Sequence, residues 1–203
     1  MINLTLDEAK KIAAEGDYKV IPISCEFFSD VKTPIEVLRI LKNISRHVYM
    51  LESIEDNEKW GRYTFLGYDP KLELACLKGK MTIKNGTTIE MDIRHPGEMI
   101  KKILADYKSP KLEHLPPFTG GLVGYFAYDY ICYAEPSLKL QAKDEENFKD
   151  VDLMLFDKVI AFDHVRQKLI LIVNMELKDP EAGYHKAVLE LEQLIHLLRT
   201  GKK

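Results

Sequence analysis

Between Leu51 and Pro70 the chain reads LESIEDNEKWGRYTFLGYDP, which brings an acid (Glu52), a hydroxyl (Ser53), a guanidinium (Arg62) and aromatic rings within reach of one β-hairpin. An acid can accept from an ammonium group, a hydroxyl or guanidinium can donate to a carboxylate, and flat apolar rings can wall a third group. Such a set can hold a free aromatic amino acid. Strand side chains alternate, so Leu51 and Ser53 share one face and Glu52 takes the other. Simpler roles use the same residues: Glu52 can pair with Arg62 or Lys59, Arg62 can pair with Glu52 or Glu55, and Ser53 can merely end a strand. Residue types alone do not require a ligand.

Other chemistries fare worse. Gly120, Gly121 and Gly124 suggest a phosphate cradle, but the run TGGLVGYF continues into aromatic residues rather than into a lysine-bearing helix. Close packing of backbone against neighbouring strands explains these glycines better. Asp163-His164 lacks a nucleophile motif and reads as a strand end. The six histidines show no HxH or HExxH pairing, so the sequence argues against a metal site. Cys25, Cys76 and Cys132 are odd in number and far apart, which argues against a disulfide framework and for three reduced thiols.

With 203 residues the chain can bury a substantial core, and the reading treats 1–203 as a single domain. A formal net charge of −3, from 29 basic and 32 acidic residues, makes no case for a nucleic-acid partner, and no apolar run is long enough to span a bilayer. A cytoplasmic protein without a membrane or nucleic-acid partner is the expectation.

The elements that must position the candidate residues are legible from caps and periodicity. Thr5 with Glu8, and Thr33-Pro34 with Glu36, form capping boxes that open two helices, the second running to about Ile44. Strands are expected over Tyr18–Phe28, His47–Ser53 and Tyr63–Gly67, followed by a meander over 72–91 in which Asn85-Gly86 predicts a type I′ turn. A helix follows near Met99–Tyr107, then a proline-rich connection over 108–118. Asp152–Asp163 and Lys168–Asn174 read as a hairpin, and Asp179-Pro180 opens a final helix. Strands in hairpins with helices at intervals predict an α+β fold with a largely antiparallel sheet and packed helices.

Three segments in the same order, LES with WGRY, TGGLVGYFAYDYICYAE, and FDHVRQKLILI, make roughly Pro34 to Ile172 resemble the N-terminal half of anthranilate synthase component I. The resemblance implies half of a chorismate-utilising enzyme sandwich and an N-terminal, tryptophan-sensing domain over 1–203. It implies Leu51, Glu52 and Ser53 as the core of an L-tryptophan effector site, Pro34 as a wall for the indole, and Arg62 as a carboxylate donor. Proline at a first helical position also stands without any ligand. The implied parent converts chorismate and ammonia, delivered from glutamine by an amidotransferase subunit (component II), into anthranilate and pyruvate. The motifs of the C-terminal chorismate-binding half, with its Mg2+-binding acids and its general acid and base, do not occur in this sequence. No catalytic residue and no cofactor are therefore expected here, whereas Mg2+ is expected of the full enzyme. The large subunit of aminodeoxychorismate synthase and a stand-alone ligand-binding module are the alternatives.

Overall fold

The computed structural model describes residues 2–30, 32–52, 61–138 and 145–201. Helices are α1 (Leu6–Ala14), α2 (Pro34–Lys42), α3 (Pro96–Ala105), the single turn α4 (Ile131–Ala134) and α5 (Pro180–Thr200). Strands are β1 (Val20–Phe28), β2 (Val48–Glu52), β3 (Tyr63–Tyr68), β4 (Leu72–Leu77), β5 (Lys80–Asn85), β6 (Thr87–Asp92), β7 (Gly121–Phe126), β8 (Val151–Phe156), β9 (Lys158–Asp163) and β10 (Lys168–Glu176). They form two five-stranded sheets, ordered β1-β10-β9-β3-β2 and β6-β5-β4-β8-β7, and every pairing is antiparallel. The α+β, largely antiparallel expectation holds. Among the described residues no helix is long and apolar enough to cross a membrane.

Residues 1–203, read as one domain, gather into two compact units, each containing one sheet. Unit 1 comprises 1–69, 107–120 and 157–203, and unit 2 comprises 70–106 and 121–156.

In unit 1 both predicted capping boxes form, Thr5 with Glu8 and Thr33 with Glu36, each satisfying donors that a helix start leaves without partners. Helices α1, α2 and α5 lay Ala9, Val37, Leu41, Ala187, Leu191, Leu194 and Leu198 against one sheet face, where they meet Ile21, Ile23, Leu66, Ile160, Phe162, Leu169 and Leu171. Apolar burial over that face is the main stabilising term for the unit. The proline-rich connection covers the opposite face, packing Leu112, Leu115 and Phe118 on Phe65, Val159, Ala161, Ile170 and Ile172. With both faces covered, the middle of β10 reads as an unbroken apolar run, LILIV.

Unit 2 alternates more visibly. Leu72, Leu74 and Cys76 of β4 are buried beside Leu155, Leu153 and Val151 of β8, and also beside Ile83 and Met81 of β5. On β7, Gly124 approaches β8 so closely that an added Cβ would stand 1.9 Å from the Asp152 carbonyl oxygen. Its φ of 156° is one that L side chains rarely adopt. The expectation of close backbone packing at the glycine run therefore holds at this position.

Two expectations are corrected. Asp152–Asp163 is not one strand: β8 ends at Phe156, β9 begins at Lys158, and the two belong to different sheets. The Asp157 carbonyl that lies between them accepts from the backbone N–H and from Nδ2 of Asn174, at 3.0 and 2.9 Å. The type I′ turn falls at Lys78-Gly79, where both central residues have positive φ (49° and 78°) between the paired Leu77 and Lys80. At Asn85-Gly86 only the glycine does (φ 70°), and Asn85 pairs with Thr87, leaving Gly86 alone at the apex. Lys78 is held in its unfavourable conformation by Asp150 Oδ2, which accepts from its N–H at 2.7 Å, while Tyr133 Oη accepts from the Gly79 N–H at 2.8 Å.

Candidate functional site

The five candidate residues belong to unit 1, and four of them are described. Pro34 is the first residue of α2, half-buried, directly after the Thr33 cap. Only 43–47 separate α2 from β2, and so short a connection makes helix and strand antiparallel. Nine helical residues rise about 13 Å and five strand residues about 16 Å, so the start of α2 and the end of β2 lie at one end of the unit. This brings Pro34 to the same end as Leu51 and Glu52. Ser53, together with Glu55, Lys59 and Trp60, lies outside the described residues.

Alternation divides the strand end between two environments. β2 pairs with β3 so that Val48, Met50 and Glu52 stand opposite Tyr68, Leu66 and Thr64. Val48, Met50, Leu66 and Tyr68 pack into the helix-side core, so Glu52 and Thr64 continue that row at the sheet's end. Thr64 is fully buried, and its hydroxyl lies 3.4 Å from Glu52 Oε1 and 2.7 Å from His164 Nε2. Leu51 points to the other face, opposite Phe65, and is 47% exposed. There Tyr63 stacks on Phe65 at 5.6 Å, and Phe65 and Tyr49 meet Phe118 edge-on at 5.6 and 6.5 Å. Burial pushes the Tyr49 hydroxyl well above the usual tyrosine range, which keeps it neutral.

Glu55 lies outside the described residues, and among them Arg62 does not pair with Glu52. Its Nε and Nη2 donate to the two carboxylate oxygens of Asp163 at 3.0 and 2.6 Å, a bidentate pair, and the guanidinium sits 4.9 Å from the Tyr63 ring centroid. Asp163 also accepts from the backbone N–H groups of Val165 (3.2 Å) and Arg166 (3.0 Å), which shapes the β9–β10 turn. Burial pushes the Asp163 carboxyl up, but the bonds from Arg62 and the two turn amides outweigh it and hold the group below the usual carboxylate value. The same pair raises the Arg62 guanidinium further.

Sequence reasoning missed Thr64, the Arg62 partner and His164. The available signal is the pair Asp163-His164: Asp163 ends β9 as expected, and both side chains also make polar contacts to β3 or the residue just before it. No alternation rule reports which strand a side chain will meet across a sheet. Among the described residues, no group of three or more His, Cys, Asp or Glu side chains gathers as a metal-ligating set.

Geometrically, the site is a sheet end with an acid, a buried hydroxyl and an imidazole in one row on the α2 side. Beside it lie aromatic rings on the opposite face and a tightly paired arginine. It can accept a cationic group at Glu52, and the hydroxyl that stands beside an imidazole, that of Thr64, is fully buried.

No family model matches the chain. Among curated proteins, anthranilate synthase component 1 of Acetivibrio thermocellus is 37% identical over 187 residues, which is 91% of this chain and 37% of that protein. Anthranilate synthase component 1 of Acinetobacter calcoaceticus is 36% identical over 206 residues, 98% of this chain and 40% of the relative. The chain of Aquifex aeolicus with the same name is 34% identical over 173 residues, 85% of this chain and 34% of its own length. A crystal structure of anthranilate synthase component I from Streptococcus pneumoniae superposes with a TM-score of 0.56 at 25% identity, covering 87% of this chain and 37% of that one. The chain thus spans well under half the length of these relatives. Sequence and fold agree over nearly all of its own length, and over the part it spans the chain belongs to the anthranilate synthase component I family.

Proposed function

We propose that this chain is the tryptophan-sensing, N-terminal portion of an anthranilate synthase large subunit. In this reading the whole protein converts chorismate and ammonia, supplied from glutamine by an amidotransferase component II, into anthranilate and pyruvate. The catalytic acids and bases, and the ligands for Mg2+, are assigned to a C-terminal chorismate-binding half, and none is assigned to these residues. Glu52 receives the ammonium of L-tryptophan, Ser53 and adjacent backbone hold the zwitterion, and Pro34 and Leu51 contribute walls for the indole. Arg62 donates to the carboxylate through Nη1, the guanidinium nitrogen outside its pair with Asp163.

One argument supports this reading: the five-residue connection from α2 to β2 turns the strand back along the helix, so the start of α2 and the end of β2, and with them Pro34 and Glu52, belong to one end of unit 1. Feedback then needs only that tryptophan bind one arrangement of the full subunit better than another, since a ligand shifts an equilibrium by its differential affinity. Titration calorimetry with L-tryptophan on the full-length protein that carries this sequence is the test. Ser53→Ala is expected to weaken binding by about 1–3 kcal/mol, the usual cost of an unmade bond in a buried polar site, with feedback inhibition relieved in parallel. Wild-type affinity and unchanged inhibition in that variant would remove the site assignment. Thr88→Ala, on an exposed strand of unit 2, serves as the control.

A further inference from the structure

We infer that His164, acting through Thr64, positions the Glu52 carboxylate for the cationic group of the ligand. This rests on the reading of Glu52 as the ammonium acceptor and adds two residues to it. Glu52 and Thr64 belong to β2 and β3 and His164 directly follows β9, three strands adjacent in the sheet, and the three residues lie in one row on the α2 side. The contacts run His164 Nε2 to Thr64 Oγ1 at 2.7 Å and Thr64 Oγ1 to Glu52 Oε1 at 3.4 Å.

The bond from Thr64 to Glu52 sets the direction of the chain. A threonine hydroxyl has one proton to give, and an ionised carboxylate only accepts. If the Thr64 proton goes to Glu52, the hydroxyl oxygen is left to accept, so His164 must present Nε2–H. The imidazole thus orients the hydroxyl, and the hydroxyl orients the carboxylate. His164 is in turn fixed at its backbone, where its N–H donates to the Arg62 carbonyl at 2.9 Å. Rigid Thr64 makes this row effective: it is fully buried within β3, whereas Glu52 and His164 are exposed and would otherwise sample several rotamers. The row selects for ligands carrying an ammonium, because it aims an acceptor and leaves no donor at Glu52. The rest of the ligand is recognised elsewhere.

The test is a double-mutant cycle in the full-length protein, read by titration calorimetry with L-tryptophan. His164→Ala and Thr64→Val are each expected to weaken binding about 3- to 10-fold, the worth of one positioning hydrogen bond. His164→Gln, whose amide N–H can still donate to Thr64, and Thr64→Ser should restore most of it. On a Glu52→Gln background, His164→Ala should cause no further loss, because a residue acting through Glu52 has nothing left to position. Since His164 is exposed, its variants keep the core intact, and a melting temperature within a degree or two of wild type checks this. Silence of His164→Ala, or a loss that simply adds to that of Glu52→Gln, overturns the positioning role while leaving the effector site standing. A wild-type protein that binds no tryptophan, or a Glu52→Gln variant with full affinity, overturns the parent reading and this inference together.

Discussion

Asp163→Asn isolates the interaction that ties the end of β9 to the residue preceding β3. The carboxylate is 1% exposed and accepts four bonds, two from Arg62 and two from the turn amides of Val165 and Arg166. Asparagine keeps one acceptor oxygen, so the three bonds to Oδ1 can survive, and the bond from Arg62 Nη2 is lost along with the charge. Breaking a fully buried pair costs about 3–5 kcal/mol. Arg62 retains 27% of its side-chain exposure and can turn to water, so the expected loss is smaller, about 2–3 kcal/mol. For a chain of this size that corresponds to a melting temperature lower by about 5–10 °C. The pH dependence gives an independent check. Because the folded carboxyl is held below its ordinary value, its contribution is present above the unfolded-state value and is lost as pH falls through the folded one. The difference between wild type and variant should therefore be full at neutral pH and shrink as pH drops below about 4, the ordinary carboxylate value. Urea unfolding at several pH values, with the slope checked for constancy, reads both quantities. A variant within about 0.5 kcal/mol of wild type at neutral pH, with the same pH slope, would refute the argument.

Two further expectations concern unit 2. Gly124→Ala should destabilise by roughly 3 kcal/mol or more, since the added Cβ meets a backbone carbonyl that no side-chain rotation can clear; faster amide exchange confined to β7 and β8 would show it, and unchanged exchange would contradict it. Tyr133→Phe removes the hydroxyl that accepts from the Gly79 N–H and donates to Asp150 Oδ2, and should cost about 1–3 kcal/mol in thermal unfolding. An equal melting temperature would mean that the Lys78-Gly79 turn holds itself.

Local chemistry made much of the fold legible. A capping box is a contract between residues three apart, and both Thr5 with Glu8 and Thr33 with Glu36 formed as written. Apolar spacing likewise located α5, whose buried Leu191, Leu194 and Leu198 recur at helical intervals. Partnership across sheets is not local, and there the sequence was silent. Nothing between Asp152 and Asp163 distinguishes a long strand from two short ones, because both β8 and β9 are β-prone and apolar; the break at Asp157 is anchored by Asn174, seventeen residues away. The two turns show the same limit from the other side. Asn-Gly is the better local former of a type I′ turn, yet that turn stands at Lys78-Gly79. Acceptors on Asp150 and Tyr133, more than fifty residues downstream, hold the poorer local sequence there.

The candidate site divides along the same line. Residue types suggest Glu52 and the family resemblance Pro34, and the short 43–47 connection brings them to one end of unit 1, a consequence that the expected elements alone already carry. For Arg62 the sequence offers the nearby acids Glu52 and Glu55, whereas its bidentate partner is Asp163, a hundred and one residues on. That partner is buried. An arginine pairs well with a carboxylate whose desolvation needs compensation, because there the pair is screened least and two further amide donors help hold the carboxylate in place. That pairing has a functional consequence for the proposed site. With Nε and one Nη2 proton committed to Asp163, Arg62 keeps its Nη1/Nη2 edge for a ligand carboxylate, and in the proposed site the ammonium falls to Glu52 and the row of Thr64 and His164 behind it.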